Sequence, residues 1–252
     1  MMAQTSGFVE TETSAGIMEI SLHRSERKNA LNQAMYGDLT AAIEQGVKDA
    51  EVRVILLTGS GGCFTSGNDL ADFANAPEIL NGDNVIVRFM TALTECPKPV
   101  VVAVEGAAVG IGTTLLLHVD LAYAAPETSF RLPFVNLGLC PEYASSWLLP
   151  RLVGYVKAAE WLLLGETFSA SQARDAGLIN AVVDDPLTVA RGQAQKLAQQ
   201  PPIAVRTAKA LMKEPNAEPI NAAMTREILR FAQALQGKEF GDAVSAFFDK
   251  RG

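Results

Sequence analysis

Apolar positions along this 252-residue chain fall into two rhythms. Val52–Thr58 and Val100–Val104 are almost unbroken runs of Val, Ile, Leu and Ala. They lack the alternation of a half-exposed strand, so they predict parallel strands buried on both faces. Ile17–Leu22 and Leu121–Ala124 predict two more strands. Between the first two strands, Met35, Leu39, Ile43 and Val47 recur every fourth residue and form one helical stripe, with Asn32 placed to cap it. Gly-rich loops follow two of the runs, at Gly59–Gly67 and Gly106–Gly112, and each opens onto a helical pattern. The second of these helices is expected at Thr113–Leu117, and Phe130–Leu139 leads into another near Glu142. Strand, loop and helix in repetition predict an α/β fold with a largely parallel sheet.

From Leu187 the rhythm changes. Ala, Gln, Lys and Glu dominate, and helical periodicity continues to Phe248. Pro186, Pro201, Pro202, Pro215 and Pro219 are expected to mark helix starts. The organisation expected is an α/β core over residues 1–186 and a helical C-terminal region over 187–252.

Composition narrows the function classes. With 48% hydrophobic and 19% charged residues, the chain can bury a core. A net charge of −7 without a basic block argues against a nucleic-acid partner. An anionic ligand would therefore need a few local Lys or Arg residues. Three widely spaced cysteines, Cys63, Cys96 and Cys140, form no C-x-x-C pair and suit a reduced, cytoplasmic protein. The stretch from Met1 to Glu12 is polar and lacks arginine, unlike a signal or transit peptide. No apolar run approaches the roughly 20 residues of a bilayer span, so no membrane partner is expected. Two histidines, His23 and His118, make a His-based metal site unexpected, and no metal is predicted.

Several catalytic signatures are absent. Gly106-x-x-x-Gly110-x-Gly112 is not a dinucleotide fingerprint, no Gly-Lys-Ser/Thr follows a glycine loop, and no G-x-S-x-G elbow occurs. What remains is a pair of glycine loops, each opening onto a helical turn. Such turns leave backbone N–H groups unpaired. Two of them converging on one point make an oxyanion hole. The plainer alternative is that the glycines serve tight turns and close packing.

Four segments, in this order and spacing, resemble the crotonase (enoyl-CoA hydratase/isomerase) superfamily. They are Arg24-Ser-Glu-Arg-Lys-Asn-Ala-Leu-Asn32, Cys63-Phe-Thr-Ser-Gly-Asn-Asp-Leu70, Lys98-Pro-Val-Val-Val-Ala-Val-Glu-Gly106 with Ala108-Val-Gly-Ile-Gly112, and Gly177-Leu-Ile-Asn-Ala-Val-Val183. The similarity runs from about Phe8 to Arg251. It implies a spiral of ββα units, a homotrimer or dimer of trimers built through the helical C-terminus, and an acyl-CoA thioester substrate. Coenzyme A is then part of the substrate, and no separate cofactor is expected. The resemblance places the two oxyanion donors at the backbone N–H groups of Asn68 and Ile111. Many relatives carry Gly at the second position, so the Ile111 side chain must point away from the thioester. Arg27, Lys28, Ala30 and Leu31 match the segment lining the CoA nucleotide and pantetheine, although Arg27 and Lys28 also suit a solvated turn. Ser66, Gly67, Asp69, Leu70 and Gly110 belong to the loops that receive the thioester. Phe247 and Lys250 match a terminal segment that closes over CoA.

The reaction depends on the carboxylates. The family's hydratases flank a water with two glutamates, but this chain has Thr114 and Phe134 at those positions. Neither moves a proton as an acid or base at neutral pH. One carboxylate lies downstream, in Leu137-Gly-Leu-Cys-Pro-Glu142, where the family's isomerases carry a glutamate. "Ser-Gly-Asn-Asp-Leu" followed by "Ala-Val-Gly-Ile" looks most like the delta-3,delta-2-enoyl-CoA isomerase branch. One base can remove a C2 proton and return it at C4 without a second acid. Burial among Leu139, Tyr143 and Trp147 would raise the pKa of Glu142. The plain alternative makes Glu142 a first-turn helix carboxylate after Pro141. Hydration, thioester hydrolysis, a catabolic ring step and a non-catalytic binding role remain as rivals. His118 reads as a packed helix-end histidine, Asp69 as a residue that caps or orients its loop, Asp120 and Arg131 as a structural pair, and Trp147 and Trp161 as core or subunit contacts.

Overall fold

The fold was obtained as a computed structural model, which describes residues 4–5, 7–75 and 84–249. Strands β1 (Gln4–Thr5), β2 (Val9–Ser14) and β3 (Ile17–Leu22) form an antiparallel meander. Helix α1 (Gln33–Lys48) crosses over to β4 (Val54–Gly59), which pairs parallel to β3. Helices α2 (Leu70–Asn75) and α3 (Val85–Thr94) precede β5 (Val100–Val104), parallel to β4. Next come β6 (Ala107–Val109), the short helix α4 (Ile111–Thr114), a 3₁₀ turn at Leu115–Leu117, and β7 (Leu121–Ala124) beside β5. The chain continues through β8 (Ser129–Arg131), α5 (Ser145–Val153), α6 (Tyr155–Ala159), a π-helical turn at Glu160–Leu164, and β9 (Thr167–Ser169). It ends with α7 (Ala170–Asp175), β10 (Ala181–Val182), α8 (Pro186–Ala198), α9 (Pro202–Leu235) and α10 (Lys238–Asp249).

The main sheet has the order β1-β2-β3-β4-β5-β7-β10, parallel from β3 onward. A second sheet, β6-β8-β9, stands beside it. The unbroken apolar runs are explained by their two faces. Ile55 and Leu57 of β4, with Val100, Val102 and Val104 of β5, enter the large core under α1 and α3. Val54, Leu56, Val101 and Ala103 enter a second core on the opposite face. That face is covered by α8 through Ala190, Ala194 and Ala198, whose small side chains at four-residue spacing let the helix lie close to the sheet. The helical C-terminal region thus begins as the cover of the parallel strands.

The predicted strands and the α1 stripe are present. Asn32 caps α1 by accepting from the Met35 N–H, 3.0 Å away. Two boundaries differ from expectation. The helix expected at Thr113 starts at Ile111 and tightens into the 3₁₀ turn. Pro215 and Pro219 start no helices but lie inside the 34-residue α9. A proline there forfeits the bond to the carbonyl four residues back. The affected carbonyls belong to Leu211 and Pro215, and both residues are exposed, so water can take up the lost partner.

Candidate active site

Two loops are stitched side by side. In the first, the Asn29 carbonyl accepts from the Thr65 hydroxyl at 2.7 Å, and Thr65 Oγ1 accepts from the Gly67 N–H at 3.1 Å. In the second, the Val109 N–H donates to the Thr65 carbonyl at 3.1 Å, while Gly110 N–H and Thr113 Oγ1 both donate to the Arg131 carbonyl. The approach is tight. A Cβ on Gly67 would lie 2.6 Å from the Val109 carbonyl oxygen, and one on Gly112 would lie 2.5 Å from Thr65 Cγ2. Gly67 (φ +86°) and Gly110 (φ +56°) also hold backbone that L residues rarely adopt.

These turns set Asn68 and Ile111 just after the two left-handed glycines. Ile111 is the first residue of α4, so its N–H has no intrahelical acceptor. Among the described residues no carbonyl or side chain accepts from either N–H. The Ile111 side chain is buried in the main core. The side-chain amide oxygen of Asn68 accepts a short hydrogen bond from the Tyr36 hydroxyl of α1.

The 27–31 segment runs alongside the first loop. Ser66 N–H donates to the Lys28 carbonyl at 2.9 Å, Leu31 N–H to the Gly67 carbonyl at 2.8 Å, and Asp69 N–H to the Leu31 carbonyl at 2.9 Å. The Arg27 and Lys28 side chains are exposed, and Leu31 is buried. The fixed cation is Arg24, 2.7 Å from Asp69 and 2.8 Å from the Ala30 carbonyl. Asp69 therefore orients its loop, as expected. The organiser of the segment is Asn29, fully buried at φ +52°. Its side chain accepts from the Arg24 N–H and donates to the Ser60 and Cys63 carbonyls at 2.9 and 2.6 Å. Its lone sequence signal is that asparagine tolerates left-handed backbone better than most residues.

Glu142 is 4% exposed and precedes α5. It is therefore not the first-turn helix carboxylate of the plain alternative. Its Oε1 accepts from the Thr114 hydroxyl at 2.5 Å, and its Oε2 has no hydrogen-bond partner among the described residues. Burial raises its pKa to about 8, against the lowering effect of the Thr114 hydrogen bond and with a further rise from the Glu227 charge. A narrow cavity of about 20 Å³ lies against it, lined by Asn68, Ile86, Val87, Met90, Glu142, Ile228 and Phe231. Among the described residues Glu142 is the one titratable side chain in that lining.

The structure brings together 27–31, 66–70, Gly110, Ile111 and Glu142. Phe247 lies in α10, and Lys250 lies outside the described residues. Asp120 and Arg131 do not pair. Asp120 meets the buried Lys209 at 2.6 Å and accepts from the Val100 N–H, whereas Arg131 Nε donates to the Gly165 carbonyl. A lysine reaching in from α9 captured the carboxylate. His118 is packed, stacked on Tyr143 with centroids 3.9 Å apart, and burial lowers its pKa to about 3. Trp161 is buried against Phe168, while Trp147 is half-buried under the Arg151 guanidinium. Among the described residues no group of acidic, Cys or His side chains could hold a metal ion.

A sheet parallel from β3 onward, two facing glycine loops and the buried Glu142 beside them are an α/β arrangement of the crotonase kind. The chain matches the Enoyl-CoA hydratase/isomerase family over residues 12–252 and belongs to it. It is 34% identical over 254 residues to the 1,2-epoxyphenylacetyl-CoA isomerase of Escherichia coli K12, covering 97% of this chain and 96% of that one. It is 36% identical over 249 residues to a probable enoyl-CoA hydratase of Rhodobacter capsulatus, covering 96% and 95%. The solved structure of Pseudomonas aeruginosa OdaA superposes with a TM-score of 0.93 at 45% identity, covering 96% of this chain and 99% of that one.

Proposed function

We propose that this protein isomerises a 3-enoyl-CoA to the trans-2-enoyl-CoA, with Glu142 as the single acid and base. The observation carrying the reading is that, among the described residues, Glu142 is the lone carboxyl of a cavity otherwise apolar apart from Asn68, with its Oε2 unpartnered. Ionised Glu142 takes a proton from C2, and the electron pair passes into the thioester carbonyl and the adjoining double bond. The N–H groups of Asn68 and Ile111 hold the resulting dienolate oxygen. The protonated Glu142 returns the proton at C4, which leaves the double bond between C2 and C3. The proton count closes without a water or a second acid. A positioned base contributes roughly 10²–10⁴-fold and one oxyanion donor about 10²–10³-fold.

Exposed Arg27 and Lys28 are suited to the CoA phosphates, with Ala30 and Leu31 along the pantetheine. Exposed Tyr155, Val156, Leu163 and Leu164 crowd consecutive turns after α5 and support a homotrimer or dimer of trimers. Three free cysteines are in keeping with a cytoplasmic location.

Glu142→Gln tests the assignment. Turnover of 3-hexenoyl-CoA should fall by at least 10²-fold with CoA binding nearly intact. Full activity in this variant, or rapid conversion of crotonyl-CoA to 3-hydroxybutyryl-CoA by the unaltered protein, would remove the reading.

A further inference from the structure

Glu142 sits beside an improbable piece of backbone. The next two residues, Tyr143 and Ala144, both adopt left-handed conformations, with φ +58° and +55°, and both are completely buried. Each such residue is strained without a glycine to relieve it. The turn also carries the N-terminus of α5, whose first N–H groups need acceptors.

The acceptor comes from a distant element. Glu227 of α9 is 5% exposed, and its Oε2 accepts from the Ala144 N–H at 2.6 Å. Its Oε1 accepts from the Ser146 N–H at 2.9 Å and also from the Ser146 hydroxyl. One carboxylate therefore spans the turn and caps the helix behind it. Tyr143 is held from the other side, by its hydroxyl on the Met90 carbonyl and by His118 Nε2 on its own carbonyl. The clamp fixes the direction in which the chain leaves Glu142.

We propose that Glu227 is a positioning residue, which locks the Tyr143–Ala144 turn and thereby aims the Glu142 carboxyl into the cavity. The proposal rests on Glu142 being the base. Two properties of Glu227 are involved. Its reach sets geometry, because both oxygens are used. Its charge raises the proton affinity of Glu142. The other titratable groups around Glu142 are Tyr36 from α1 and Tyr143 and Cys140 from its own loop, with His118 behind Tyr143 and Arg226 beside Glu227.

Two variants separate reach from charge. Glu227→Gln keeps the length but replaces one acceptor by an N–H donor facing a backbone N–H. Its kcat at the alkaline plateau should fall roughly 10- to 100-fold, as expected for a displaced catalytic group, with KM changed less than about twofold. The acidic limb of its pH–rate profile should move to lower pH. Glu227→Asp keeps the charge but cannot bridge both N–H groups, so kcat should fall while the limb stays in place. A residue serving stability alone would lower the melting temperature of both variants and leave kcat per folded enzyme and the limb unchanged. That result overturns the proposal. If Glu227→Gln does not fold, Glu227→Asp decides by its kcat. Glu142→Gln run alongside separates the two ideas. An active Glu142→Gln sinks the base and the clamp's purpose together, and an inactive one with unaffected Glu227 variants sinks the clamp alone.

Discussion

Replacing Glu142 by Gln should make the protein more stable, and only as the pH rises. A carboxyl whose pKa is raised from 4.5 to about 8 on folding binds its proton more tightly in the native state. Its contribution is therefore fully present below pH 4.5 and is lost progressively between about pH 4.5 and pH 8. At pH 5 the unfolded group is largely ionised while the native group is not, a penalty of about 1 kcal/mol. At pH 8 the same difference has grown to about 4 kcal/mol. Gln carries the same shape and accepts from Thr114, but it does not titrate. Relative to the unaltered protein, Glu142→Gln should thus gain about 3 kcal/mol between the two pH values, with every other titrating group nearly cancelling. For a chain of this size that corresponds to roughly 6–12 °C in melting temperature. Paired urea titrations at pH 5 and pH 8, at fixed protein concentration, measure the gain. A stability difference that is the same at both pH values would show that burial does not hold the proton, and the argument for Glu142 as a tuned base would fail.

Three further outcomes follow from the geometry. Thr114→Val removes the hydroxyl that lowers the proton affinity of Glu142, so the acidic limb of kcat/KM should move to higher pH and the rate at pH 7 should drop; a pH–rate profile checks the direction. Gly67→Ala must push its Cβ away from the Val109 carbonyl oxygen, shifting the Asn68 N–H, and should lower kcat about 10²-fold in a steady-state assay. Asn29→Ala strips the acceptors Ser60 and Cys63 of a buried donor and leaves Ala in left-handed backbone. It should cost roughly 3 kcal/mol or more by chemical denaturation and weaken CoA retention on an affinity matrix.

The parts of this molecule readable from sequence are those whose cause is local. The β4 and β5 runs are apolar throughout because α1 and α3 cover one face and α8 the other, and continuity in the chain records that double burial. Asn68 and Ile111 are singled out by the family resemblance, and the structure sets each just after a glycine at positive φ. Glu142 is placed by the family resemblance, and its burial and raised pKa are expected from its apolar neighbours, but its hydrogen-bond partner is not. Thr114 marks a lost acid in sequence, and in space it is the hydrogen-bond donor to the acid that remains. Tyr36 and Glu227 carry no local signal, since their contacts with the site span 32 and more than 80 residues. Pro215 and Pro219 inside α9 misled for the converse reason. The local rule against them is sound, but the carbonyls they disable lie on exposed residues.

The raised pKa also bears on how one carboxyl can serve both halves of a proton shift. At pH 7 a group titrating near 8 is ionised in about one molecule in ten, a loss of one order of magnitude in active base. Against this, the rise strengthens the base toward the weakly acidic C2 proton of the proposed substrate. In the proposed isomerisation the same rise would favour the protonated form that delivers the proton at C4. Burial supplies this affinity, since desolvation is its largest cause, and the Thr114 hydroxyl limits it. A second glutamate at position 114 would bring a like charge against Glu142 and push the two proton affinities apart, the arrangement that suits a separate acid and base across a water. A threonine there leaves one group whose acid and base forms are both accessible near neutral pH, which is what a single-carboxylate isomerisation requires.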